Sequence, residues 1–153
     1  MTANQQDQAN QADRVTAQDE VVDICRDLIR IDTTNPGDHS GPGERLAAEH
    51  VAALLAEAGL DPVILESHPK RASVVARITG RDQKRPGLLV HGHLDVVPAN
   101  AADWRHDPFA ADLADGCVWG RGAVDMKDMD AMILAVVRQI GRASCRERVC
   151  YVV

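Results

Sequence analysis

Apolar residues recur at three- and four-residue steps through Val21, Val22, Ile24, Cys25, Leu28, Ile29 and Ile31, the spacing of one face of a helix. Thr16 with Asp19 has the form of a helix start, and the cluster Asp32-Thr33-Thr34-Asn35-Pro36-Gly37 is a turn that stops it. A second amphipathic helix is predicted over Glu44 to Ala58, with Leu46, Ala47, Val51, Leu54, Leu55 and Ala58 inward and Gly59 as its stop. Pro62 to Leu65 and Ser73 to Ile78 read as strands parted by the turn-like Ser67-His68-Pro69-Lys70. Gly87 to Val90 has the continuous hydrophobicity of a strand covered on both faces, and Pro98 closes that stretch because proline cannot donate to a ladder. Cys117 to Trp119 is a further strand. Met129 to Ile140 is a helix with Met132, Ile133, Val136 and Val137 apolar and its methionines as core filler. Helices at both ends of a strand set predict an α/β fold, a mostly parallel sheet with helices on its faces.

Length and composition narrow the classes. The chain of 153 residues suffices for one domain with a real core, and 26% charged residues beside 45% hydrophobic ones argue against general disorder. A net charge of −6 without a basic stripe excludes nucleic acid as a partner. No run approaches the roughly 18–20 apolar residues of a membrane span. Residues 1–15, rich in Gln, Asn, Asp and Ala, lack the apolar stretch of a signal peptide and are expected to be a disordered leader. The cytoplasm is therefore the expected location, with reduced thiols and no Cys-x-x-Cys metal site.

Two clusters carry chemistry. In Leu88-Leu89-Val90-His91-Gly92-His93-Leu94-Asp95-Val96-Val97-Pro98 an apolar run delivers a His-x-Asp pair. His93 and Asp95 project to one side of an extended backbone, with alpha carbons roughly 6–7 Å apart. A neutral imidazole is a zinc ligand, and a carboxylate behind it can orient the ring or raise its basicity. Alone, the pair is more simply two solvated polar residues. The second cluster, Val118-Trp119-Gly120-Arg121-Gly122-Ala123-Val124-Asp125-Met126-Lys127, sets Asp125 between a strand-like segment and a helical run, where by itself it would be an ordinary helix cap. Open α/β sheets bind ligands beyond the carboxyl ends of their strands, which puts His93, Asp95 and Asp125 in one crevice.

His-Gly-His-Leu-Asp-Val-Val-Pro, then Trp104, Asp107-Pro108-Phe109 and Gly-Arg-Gly-Ala-Val-Asp-Met-Lys, resemble in order and spacing the zinc-dependent aminoacylases and exopeptidases. That family includes acetylornithine deacetylase, succinyl-diaminopimelate desuccinylase and related dipeptidases and carboxypeptidases. The resemblance implies that His93 ligates one metal ion, that Asp125 bridges two zinc ions, and that Asp95 is the catalytic carboxylate clamping the His93 imidazole. It also implies cobalt or manganese as substitutes, a small peptide or N-acyl amino acid substrate, and a homodimeric full-length protein. Asp128 departs from the pattern, which more often has glycine after Met-Lys; it reads as a helix-start carboxylate near the positive end of the dipole.

The resemblance runs from about Asp19 to Ile140, so residues 16–140 are expected to form a partial catalytic domain. The Glu-Glu pair that supplies the family's general base and a further ligand does not follow Asp125, and the expectation is a fragment inactive alone. The helical pattern is expected to break at Gly141. Residues 141–153 read as an aberrant tail, because Ile140 to Val149 is what codons resembling a sequencing-library adapter encode. Two other classes stay open: a non-catalytic α/β binding domain with a relic metal site, and a metallophosphoesterase, for which the Gly-Asp and Gly-Asn-His ligand contexts are missing.

Overall fold

The computed structural model describes residues 15–80, 82, 84–143 and 151–152. The expected leader, apart from Val15, and most of the tail beyond Ala143 lie outside the described residues.

The first helix, α1, spans Ala17–Arg30. It starts where Thr16 predicts: the Asp19 carboxylate accepts from the Thr16 N–H and from its hydroxyl, both at 2.7 Å. These bonds hold the Asp19 carboxyl below the usual carboxylate range. Ile24, Cys25, Leu28 and Ile29 form the buried stripe, while Val22 lies off it and is exposed. The second helix, α2, spans Arg45–Glu57 and buries Ala47, Ala48, Val51 and Leu55. Leu46, expected inward, is exposed, being one step off the stripe that Ala47, Val51 and Leu55 define. Gly59 ends this helix as predicted, in the left-handed region at φ 78°.

β1 (Val63–His68) and β2 (Arg71–Ala76) form an antiparallel hairpin through Pro69 and Lys70. Only β2 turns buried side chains to the core, through Ala72, Val74 and Ala76, against α2. After a 3-10 turn at Ala101–Asp103, β3 (Asp112–Ala114) and β4 (Cys117–Trp119) make a second antiparallel hairpin. The last helix, α3, spans Lys127–Ala143 and packs along α1, burying Ala131, Leu134, Ala135 and Val137. β5 (Tyr151–Val152) pairs antiparallel with β2.

The described residues depart from the expectations at several points. The described sheets are antiparallel, and the parallel pairing among the described residues is the single bridge between Thr34 and Val96. Gly87 to Val90 is not a strand, and Leu88 and Leu89 are 60% and 62% exposed. A strand exists only where a neighbouring backbone takes up its N–H and C=O groups, so an apolar run can suit a ladder without having one. Met129 and Met132 are exposed rather than core filler, because the stripe facing α1 follows Ala131, Leu134, Ala135 and Val137. The helix also continues past Gly141 to Ala143. Gly141 fits closely there, since a Cβ added to it would lie 2.5 Å from the Ala58 carbonyl oxygen, and Arg142 Nη2 reaches Glu20 Oε1 at 2.6 Å.

Candidate metal centre

The turn after α1 and the His-x-Asp segment are zipped together. Val96 donates its N–H to the Thr33 carbonyl at 3.1 Å, Asn35 donates to the Val96 carbonyl at 2.8 Å, and the buried Thr33 hydroxyl donates to the Leu94 carbonyl at 2.6 Å. Leu94 and Val96 are buried. Side chains alternate along extended backbone, so fixing these two inward leaves His93 and Asp95 on the open side.

Asp125 arrives on the turn between β4 and α3. Arg121 N–H donates to the Pro108 carbonyl at 2.7 Å, and Lys127 N–H donates to the Gly122 carbonyl at 2.9 Å. Gly122 is at φ 87°, and a Cβ there would sit 2.8 Å from Val96 Cγ1. Only glycine allows both that conformation and that approach, and the approach brings the two motifs together. The Asp125–Met126 peptide is cis.

His93 Nε2 then lies 3.1 Å from Asp125 Oδ1. On its other side His93 Nδ1 is 3.0 Å from the Asp95 carbonyl and 3.2 Å from Asp95 Oδ1. Burial pulls the His93 imidazole down, but the Asp95 carbonyl and the Asp125 and Asp95 carboxylates outweigh it and hold the pKa above the ordinary histidine value. The structure thus brings His93, Asp95 and Asp125 together. The loop histidine His39 stacks on His68 instead, with ring centroids 4.7 Å apart, and His50 is half-buried on α2. Trp104 takes the Arg121 guanidinium over its ring at 5.0 Å.

Behind these residues stand groups that the sequence reading passed over. Asn35 Nδ2 donates to Asp95 Oδ2 at 2.7 Å. Arg71 Nη2 faces the same oxygen at 3.8 Å, and its Nη1 pairs with Glu44 Oε1 at 2.8 Å. Burial raises the Glu44 carboxyl, against the pull of Arg71. Buried Lys127 donates from Nζ to the Leu28 and Ile31 carbonyls, both at 2.8 Å, tying the end of α1 to the start of α3. Desolvation pushes its ammonium down to about 8. The Thr-Asn-Pro and Asp-Met-Lys triplets were visible, but each already had an adequate explanation as a turn or a helix start.

Two donors facing each other at 3.1 Å suit one edge of a tetrahedral zinc site, which spans roughly 3.3 Å for ligand bonds near 2.0–2.1 Å. Among the described residues, no group of three or more His, Cys, Asp or Glu side chains converges into a metal cage.

Known proteins resemble this chain in sequence and in fold. Residues 89–152 match the model for peptidase family M20/M25/M40. The succinyl-diaminopimelate desuccinylase of Methylobacterium radiotolerans is 42% identical over 123 residues, which cover 78% of this chain and 29% of that protein. The desuccinylase of Wolbachia pipientis is 36% identical over 118 residues, covering 76% and 27%. The chain thus spans less than a third of the length of these relatives. Among solved structures, an M20 family metallo-carboxypeptidase from Sulfolobus solfataricus superposes with a TM-score of 0.70 at 22% identity, covering 88% of this chain and 30% of that one. Human carnosine dipeptidase 1 superposes with a TM-score of 0.65 at 24% identity, covering 88% and 31%. The family model over residues 89–152 and the desuccinylase matches agree in supporting the M20 family of aminoacylases and exopeptidases, of whose relatives this chain spans a short part.

Proposed function

We propose that His93 and Asp125 hold a divalent cation, with Asp95 fixing the His93 ring, and that the complete protein is a metal-dependent hydrolase of an amide bond beside an amino-acid carboxylate. The single observation that carries this reading is the 3.1 Å approach of His93 Nε2 to Asp125 Oδ1, with Asp95 on the far side of the imidazole. Asp125 has a side chain 84% exposed, which leaves it room to bridge a second ion. Zinc is the expected metal, two ions in the complete enzyme, with cobalt or manganese as substitutes. The chemistry such ions supply is polarisation of the scissile carbonyl and acidification of water. This chain's own part is to present donors: Asp95 holds the His93 ring, while Asn35 and Arg71 hold Asp95. An N-acyl amino acid is the favoured substrate, because the relatives at 42% and 36% identity are desuccinylases, whereas the dipeptidase and carboxypeptidase likenesses are of fold alone.

In the complete protein the bridge between Thr34 and Val96 is the beginning of the mostly parallel sheet, and the assembly is a cytoplasmic homodimer. Among the described residues no helix is long and apolar enough to cross a membrane. We infer that the 153 residues alone turn over no substrate, since the described residues bring one edge of the metal site and no Glu-Glu pair follows Asp125. The reading of residues 141–153 as translated adapter is tested by resequencing the gene without ligated adapters.

Zinc competition with a chromophoric chelator tests the site. Binding by the chain is expected to be lost in His93→Ala and in Asp125→Ala, with no hydrolysis of N-succinyl-diaminopimelate. Unchanged binding in both variants removes the site, and absence of binding in the unaltered chain favours a non-catalytic domain. Two tightly held zinc ions with amidase activity overturn the fragment reading.

A further inference from the structure

The start of α3 holds a carboxylate that the reading above does not use. Asp130 is 0% exposed, and neither of its oxygens has a hydrogen-bond partner among the described residues. Lys127, one turn earlier, does not take it, because its Nζ is committed to the Leu28 and Ile31 carbonyls. The carboxylate is aimed at the His-x-Asp segment: a Cβ built on Gly92 would stand 2.1 Å from Asp130 Oδ1 and 3.2 Å from Met126 Cε. Gly92 precedes His93, and Met126 follows Asp125. Asp130 therefore stands directly behind the pair that face each other at 3.1 Å.

A buried carboxylate with no donor is among the most costly groups a fold can carry. A neutral residue of the same volume would fill the space at lower cost, and although Lys127 and His93 pull on the carboxylate through space, the charge lacks a bonded counterpart among the described residues. A cation held by His93 and Asp125 would be such a counterpart.

We propose that Asp130 is the anionic backing of the His93–Asp125 cation site, a positioning residue that strengthens cation binding through its field without touching the ion. The proposal rests on the metal reading given above. It also accounts for Gly92, since any side chain there would displace the carboxylate. Groups that bear on a metal from behind its ligands change its affinity about 10–100-fold when removed.

The test compares the 153-residue chain with Asp130→Asn, which keeps the shape and removes the charge. Both are titrated with cobalt(II), read by visible absorption, and with zinc against a chelator; both are also melted metal-free. Asp130→Ser, neutral and smaller, is measured alongside so that a poorly fitting amide is not mistaken for loss of charge. The expected result has two opposite signs: cation affinity falls about 10–100-fold, while the metal-free melting temperature stays level or rises because the orphan charge is gone. Affinity and spectrum unchanged in the variants overturn the role of Asp130 and leave the His93–Asp125 site standing. Loss of affinity together with loss of metal-free stability in both variants assigns Asp130 to the fold and also overturns it. A wild-type chain that binds neither cation removes the metal reading itself, and the proposal with it.

Discussion

At the scale of single residues, chemistry-bearing types in a fixed order were legible, and their supports were not. His93, Asp95 and Asp125 stand out because two long motifs in the order of a known family carry them; alone, the His-x-Asp pair would be solvated residues and Asp125 a helix cap. Asn35 did not stand out, since a Thr-Asn-Pro turn needs no further explanation, and its bond to Asp95 crosses sixty residues of sequence. Asp130 in the first turns of a helix reads as a complement to the dipole; only burial reveals it as an orphan charge. Burial pushes its carboxyl from 3.8 up to about 7, with His93 and Lys127 pulling it down and Asp128 adding to the rise. Between those values the folded chain keeps a proton that the unfolded chain releases. The contribution is therefore complete below the unfolded value and is lost as pH rises through about 7, so stability falls with rising pH across the window. Urea unfolding of the metal-free chain at about pH 4 and about pH 8 should show wild type losing more stability between them than Asp130→Asn, each unit of pKa difference being worth about 1.4 kcal/mol at full effect. Equal losses would show that Asp130 is not buried as described.

At the scale of elements, helix positions followed from the pattern. Asp19 closes onto Thr16 at the start of α1, and Gly59 ends α2. Helices are legible because their hydrogen bonds are local and their stripe repeats along the chain. What joins one element to the next is a different matter. Lys127 Nζ links the carbonyls of Leu28 in α1 and of Ile31 just past its end to the first residue of α3, and Arg138 of α3 reaches Glu20 on α1 at 3.3 Å and Glu57 on α2 at 3.2 Å. Replacing Lys127 by Met keeps the length and removes the donors. The Leu28 carbonyl keeps only the Ile31 N–H at 3.3 Å and the part-buried Ile31 carbonyl loses this donor, a loss of at most about 1–3 kcal/mol, partly offset because an ammonium no longer has to be desolvated. A lower urea midpoint with an unchanged m-value is expected; an unchanged midpoint would mean that water serves the two carbonyls equally well.

At the scale of the whole molecule, the core lies between the helices and the inner face of β2, with Leu28, Ile29, Val51, Val74, Leu134 and Val137 at its centre. The apolar run at Leu88 and Leu89 lies outside it, although its hydrophobicity made it the most core-like stretch of the sequence. Leu28→Ala should therefore cost about 2–5 kcal/mol, while Leu88→Ser and Leu89→Ser should each stay within about 0.5 kcal/mol. Comparable losses at Leu88 and Leu28 would restore the run to the core. The sequence by itself determined the three helices, two strands near β1 and β2 with a turn between them, and the two motifs with their chemistry, because propensity, periodicity and residue type are properties of neighbouring positions. Only the tertiary structure decided that the described sheets are antiparallel, that Gly87 to Val90 forms no ladder, and that Asn35, Lys127 and Asp130 stand behind the site. Strand pairing, burial and the partner of a charge are relations between segments distant in sequence, and only packing sets them.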